Sequence, residues 1–131
     1  MSGWGWRRVA PAANGAPWPS ARVSHTATYN ARDGRAYVFG GSGDGSSATL
    51  SNDLWAFDAG GGKPGTASWA RVRTTGAAPS PRWIATAAFV GGGATLVVVG
   101  GQSGGTFVND AYALDLASGA WTRLEAATGA I

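Results

Sequence analysis

The chain has 131 residues, 44% hydrophobic and 11% aromatic, enough apolar side chain for the core of one ordinary domain. Charged residues make up only 13%, glycine is 22 of 131 and cysteine is absent, so disulfides, thiolate chemistry and long solvated helices are excluded in favour of many tight turns. The net charge of +3 comes from nine arginines and one lysine spread along the chain, with no run longer than Arg7-Arg8, and no nucleic-acid partner is expected from so even a spread.

In chain order, the N-terminal region comes first. Trp4, Trp6, Pro11, Pro17 and Pro19 interrupt any apolar core that a signal peptide would need. No apolar run approaches the ~20 residues of a membrane span, so no membrane partner is expected and a cytoplasmic location is the default. Trp6 to Ala10 reads as a lone outer strand. Strand-like segments follow at Val23 to Tyr29, Ala36 to Phe39, Asp53 to Phe57 and Trp69 to Arg73, then at Ile84 to Val90, Thr95 to Val99, Asp110 to Leu114 and Trp121 to Glu125. Clusters of Gly, Asn, Asp, Pro and Ser separate them.

The two sets of four are copies. RAYVFGG, Arg35 to Gly41, returns as TLVVVGG, Thr95 to Gly101, and at the same offset of 60 Arg22 falls on Arg82, Ala27 on Ala87 and Tyr29 on Phe89. Asn52-Asp53-Leu54-Trp55 then falls on Asn109-Asp110-Ala111-Tyr112 at 57, and Trp69-Ala70-Arg71-Val72 on Trp121-Thr122-Arg123-Leu124 at 52. The offset shrinks only in connections, where surface loops tolerate deletion. Four short strands per unit of about 50 residues, joined too tightly for crossover helices, predict an all-β fold of four-stranded antiparallel meanders, the blades of a β-propeller. A β-sandwich would not require the same ordered landmarks twice.

The landmarks also carry a family likeness. The sequence resembles kelch-repeat proteins, whose units join a double glycine after the second strand to a later aromatic residue and to a Trp that opens the fourth strand. Here these are Gly40, Gly41, Trp55 and Trp69 in one copy and Gly100, Gly101, Tyr112 and Trp121 in the other. The Pro-Arg signature before the first strand is complete at Pro81-Arg82 and partial at Ser20-Ala21-Arg22 after Pro19. The first-strand histidine of the family stands at His25 but is Ala85 in the second copy. The expected organisation is an outer strand and loop of a neighbouring blade over residues 1–19, one blade over 20–73 and a second over 74–131. Two blades fall short of the roughly four to eight that close a ring. The expectation is therefore the N-terminal part of a longer propeller, with a homo-oligomeric ring and an open two-blade solenoid as the rivals, and a chain prone to self-association through unpaired blade faces.

Each landmark has an expected physical role. The double glycine permits positive φ and close backbone approach where the second strand turns outward. A phosphate-binding loop is the rival, but Gly100-Gly101-Gln102-Ser103-Gly104-Gly105 leads back into strand, with no helix and no Lys. Trp69 and Trp121 are expected where one blade packs on the next, while Trp4, Trp18 and Trp83 have no repeat counterpart of the same type. Asp53 and Asp110 are read as turn-closing acceptors of backbone N–H groups. Arg22 and Arg82 are read as donors to carbonyls or carboxylates of the neighbouring blade.

For function, the resemblance implies a non-catalytic protein-binding module. Some kelch-fold relatives are enzymes: copper oxidases acting on sugars, sialic-acid epimerases and specifier proteins. Neither a Tyr–Cys cross-link nor a multi-histidine site can be built from a chain without Cys and with the single histidine His25, and the carboxylate and His cluster of the specifier proteins has no match. No catalytic residue, cofactor or metal is expected. In an antiparallel blade the second-to-third and fourth-to-first connections emerge on one face, here Ser42 to Ser51, Gln102 to Val108 and Thr74 to Ser80. They differ between copies, as specificity loops on a repeated scaffold do. Asp44, Asn52, Arg82, Trp83, Gln102 and Phe107 are the candidate contacts with a protein partner.

Overall fold

A computed structural model describes residues 3, 5–10 and 15–126. Trp4 therefore lies outside the described residues. Two antiparallel meanders form. Blade 1 comprises β1 (Thr26–Asn30), β2 (Arg35–Phe39), β3 (Leu54–Asp58) and β4 (Ser68–Arg71), hydrogen-bonded in that order. Next along the chain come β5 (Thr75–Gly76), β6 (Thr86–Val90), β7 (Thr95–Val99), β8 (Gln102–Ser103), β9 (Thr106–Phe107), β10 (Ala111–Asp115) and β11 (Ala120–Leu124). Blade 2 has the order β5-β11-β10-β7-β6, and β8 and β9 form a separate hairpin. The register repeats with the sequence, Val38 facing Trp55 in blade 1 and Val98 facing Tyr112 in blade 2. The only helical pieces among the described residues are three short 3-10 turns, and no helix is long and apolar enough to cross a membrane.

The blades pack through the faces that strand alternation selects. Tyr37, Phe39, Leu54 and Ala56 of blade 1 meet Leu96, Val98, Tyr112, Leu114 and Trp121 of blade 2 in one core. Phe89 stacks edge-on against Tyr37, centroids 5.1 Å apart, and Trp121 tilts over Phe39 at 5.9 Å. Trp121 is thus an inter-blade residue, as its repeated position suggests. Its counterpart Trp69 packs on Phe57 at 4.9 Å and on Trp18 at 6.2 Å, on the side of blade 1 that faces away from blade 2.

Two expectations are corrected. Residues 6 to 10 form no strand: Trp6 is fully exposed, and Arg7 holds the segment by donating to the Gly62 carbonyl. With no ladder partner, an isolated run of strand formers stays in coil. The connection from Thr74 to Ser80 is not a plain loop either. Within it β5 pairs in parallel with β11, Thr75 N–H bonding the Gly119 carbonyl at 2.8 Å and Ala77 N–H that of Trp121 at 3.2 Å. The chain entering blade 2 so covers that blade's outer edge, a place where an open strand would invite aggregation.

The double glycines behave as the sequence requires. Gly40, Gly41, Gly100 and Gly101 have φ of +67°, +94°, +64° and +97°. A Cβ on Gly40 would lie 2.5 Å from the Arg82 carbonyl oxygen, and one on Gly101 2.6 Å from that of Trp83. The crowding comes from the connection between fourth and first strands, which crosses the end of β2 or β7. Gly40→Ala should lower unfolding stability by roughly 2–4 kcal/mol, left-handed strain adding to a backbone clash that cannot relax. Gly61→Ala, at φ +64° but in open space, should cost only about 1 kcal/mol. Urea denaturation of the two variants checks the difference.

Candidate functional site: the loop face

A buried clamp lies beneath the loop end of each blade. In blade 2 the Arg82 side chain, wholly buried, donates to both Asp110 carboxylate oxygens at 2.6 and 3.2 Å, to the Gly100 carbonyl at 2.9 Å and to the Ser80 carbonyl at 3.1 Å. Arg22 repeats the pattern in blade 1, on Asp53 at 2.6 and 3.1 Å, Gly40 O at 3.0 Å and Ser20 O at 3.2 Å. The third-strand aromatic closes the network in each copy, Trp55 Nε1 donating to Asp53 at 2.7 Å and the Tyr112 hydroxyl to Asp110 at 3.2 Å. One side chain thus ties the approach to the first strand, the end of the second and the start of the third.

This corrects the reading of both residue types. The guanidinium groups act inside their own blade, because the carboxylate that begins the third strand lies within reach of the planar fork. Asp53 and Asp110 take guanidinium bonds in place of backbone N–H bonds. Arg82 is therefore not displayed to a partner. What it does pass between blades is its backbone: Gly41 N–H donates to the Arg82 carbonyl at 2.9 Å and Arg82 N–H to the Ser51 carbonyl at 3.0 Å. Asn52 is a tie of the same kind, its amide donating to the Pro79 carbonyl at 3.0 Å.

Burial alone would raise the Asp53 carboxyl, but the bonds from Arg22, Ser51 and Trp55 outweigh it and lower it to about 2. Asp110 is lowered too, first by the Arg82 hydrogen bonds. Asp44 is an exposed carboxylate lowered to about 2 by hydrogen bonds from Thr49 and Ser46, and it fastens the loop from Ser42 to Ser51 upon itself. Its Oδ1 is engaged in loop structure.

The remaining candidates come together on the surface. Gln102 pairs with Phe107 across the β8–β9 hairpin and bridges Trp83 on its other side, the indole Nε1 donating to its side-chain oxygen at 2.6 Å. Trp83, Gln102 and Phe107 are thus adjacent rungs of one ladder, with Phe107 75% exposed. Ile84 follows, 53% exposed and held at φ +49°, a conformation rare for a β-branched residue; Ser24 has φ +55° at the equivalent place. Ser80 and Ser103 hydroxyls lie 2.8 Å apart, joining the fourth-to-first connection to the hairpin.

Sequence reasoning missed a cleft of about 900 Å³ at the loop end of β3 and β4, bordered by Pro17, Asn52, Trp55, Arg71, Arg73 and Ala78. A smaller one of about 380 Å³ recurs in blade 2, bordered by Asn109, Asp110, Arg123 and Glu125. Arg71 and Arg73 make no ion pair among the described residues, whereas Arg123 and Glu125, their repeat counterparts, lie 3.7 Å from one another. The signal was present: the copies align Arg73 with Glu125, so only one cleft keeps both positive charges. Among the described residues no group of three His, Asp or Glu side chains could share a metal ion.

Asp110→Ala should cost about 3–5 kcal/mol, because it strands the buried Arg82 guanidinium. Both clamp carboxyls sit below the unfolded value of about 3.9, so their contribution is complete above that pH and is lost as pH falls through 4 toward 2. Urea midpoints from pH 7 to pH 2 should decline over that window, and less steeply in Asp53→Asn.

A comparison with curated proteins returns no match. The family model described as the KLHDC2/KLHL20/DRC7 Kelch-repeats domain matches residues 4–131, nearly the whole chain. With the double glycines, the aromatic landmarks and the four-stranded blades all in their repeated places, this chain belongs to the kelch-repeat family.

Proposed function

We propose that the chain is a non-catalytic protein-binding module that engages its partner with the loop face. Kelch-repeat domains are in general protein-interaction modules. The observation that carries the reading for this chain is the ladder of Trp83, Gln102 and Phe107, in which an exposed Phe107 stands beside a half-buried Trp83 at the rigid end of a blade. Aromatic groups held in few rotamers make efficient binding anchors. Beneath them the clamps are satisfied, so displayed side chains lose little freedom on binding.

The partner segment best suited to this face carries carboxylates. Arg71 and Arg73 border the larger cleft without an ion-pair partner among the described residues, the one carboxylate there, Asp53, being taken by Arg22, and a guanidinium can bind a carboxylate through two parallel bonds. The partner would lay an apolar residue against Phe107 and an acidic one toward the arginines.

Affinity capture from cell extract, quantified by mass spectrometry, tests the reading. Phe107→Ala and the double change Arg71→Ala with Arg73→Ala should each reduce recovery of the same partner by about tenfold or more. Lys63→Ala, at the opposite end of blade 1 between β3 and β4, should leave recovery unchanged. Equal recovery with all the variants would remove the loop face from the interaction.

A further inference from the structure

The junction between the two blades is stitched by hydrogen bonds whose repeat counterparts stand unmade at the two ends of the molecule. Within the chain, Asn52 donates to Pro79 O, Gly41 N–H to Arg82 O, and Arg82 N–H to Ser51 O. At the offsets of 57 and 60, the blade 1 members Asn52, Gly41 and Ser51 correspond to Asn109, Gly101 and Val108 on blade 2, while Pro79 and Arg82 correspond to Pro19 and Arg22 on blade 1. The Asn109 amide, Gly101 N–H and Val108 carbonyl make none of the equivalent bonds among the described residues, nor do the Pro19 carbonyl and the Arg22 backbone. Each donor on one end thus has its matching acceptor on the other end of the same chain.

We propose that the chain assembles head to tail, the outward face of blade 2 in one copy docking on the outward face of blade 1 in the next. Side-chain size favours a second copy as the occupant. At the internal junction Phe89 meets Tyr37 and Trp121 meets Phe39. In the junction between copies Tyr29 and Trp69 take the places of Phe89 and Trp121, and Val97 and Val99 those of Tyr37 and Phe39. Blade 2 so lacks two aromatic rings where blade 1 brings an extra one, Trp18, stacked on Trp69 with Ala78 as its counterpart at the internal junction. Added volume on one face meets removed volume on the other, the exchange a packed interface tolerates best. The exposure of Tyr29, Val99 and Leu124, 65%, 43% and 44%, is the apolar surface that such docking would cover.

The contact joins unlike faces, so it is heterologous and propagates until a ring closes. With two blades per copy, closure at roughly four to eight blades means two to four copies. This inference rests on the internal repeat and is independent of what the loop face binds.

Sedimentation and native mass spectrometry of the wild-type chain should give one discrete multiple of the chain mass. Val99→Arg and Tyr29→Arg each change an exposed residue on one face, and circular dichroism confirms that they fold. Each variant alone should be monomeric. Because each retains one intact face, an equimolar mixture should form a dimer and nothing larger. A wild-type chain that stays monomeric at its highest attainable concentration overturns the proposal and leaves the faces to be covered by other blades. Association that survives either substitution overturns it too, by placing the contact elsewhere.

Discussion

The arginine–aspartate clamp is the constraint around which each blade is organised. Arg22 and Arg82 reach from outside the first strand to the carbonyl that ends the second and the carboxylate that begins the third. Only a planar group with five donors can serve these acceptors at once; a lysine at the same place would leave a carbonyl or a carboxylate oxygen without its bond. A buried ion pair contributes little net stability over an apolar substitute, because desolvation offsets most of the attraction. What it contributes here is register: sheet ends that could slide are fixed by directional bonds.

The double glycines follow from the same constraint. For the Gly40 or Gly100 carbonyl to point at the guanidinium, the chain must turn at positive φ, and for the next blade's connection to cross above, no Cβ can intervene. The backbone of Arg82 then bonds to Gly41 and Ser51 while its side chain holds Asp110. Blade geometry and blade-to-blade geometry are thereby coupled through a single residue. The loop face inherits this rigidity, with Trp83 directly following Arg82 and the β8–β9 hairpin anchored to it.

The architecture was legible because a repeat supplies its own internal alignment. β7 falls where the apolar run TLVVV places it, and the other blade strands shift by at most three residues at either end, as with Thr26–Asn30 against an expected Val23 to Tyr29. There the bonds from Val23 to Ser42 replace a continuous ladder, and Ser24 at positive φ breaks the strand. The expected strand at Trp6 failed because strand propensity without a partner carries little weight. β5 was invisible for the opposite reason, since Thr75-Gly76 has no strand character and is paired only because the chain passes β11 on its way inward. Among site residues, the ladder of Trp83, Gln102 and Phe107 is assembled from loops already singled out, but Arg82 and Asn52 proved to be internal ties. A side chain's partner across the fold is tertiary information that spacing along one strand does not encode.

Native-state hydrogen exchange of the Gly41 and Arg82 amides tests most directly whether the clamp residue couples the two blades. If blade and junction form one cooperative unit, both amides exchange only through global opening, as slowly as the central strand amides of Val98 and Tyr112. Exchange of Gly41 and Arg82 as fast as that of Gly104 at the hairpin tip would contradict the coupling and make the junction a local contact between independently stable blades.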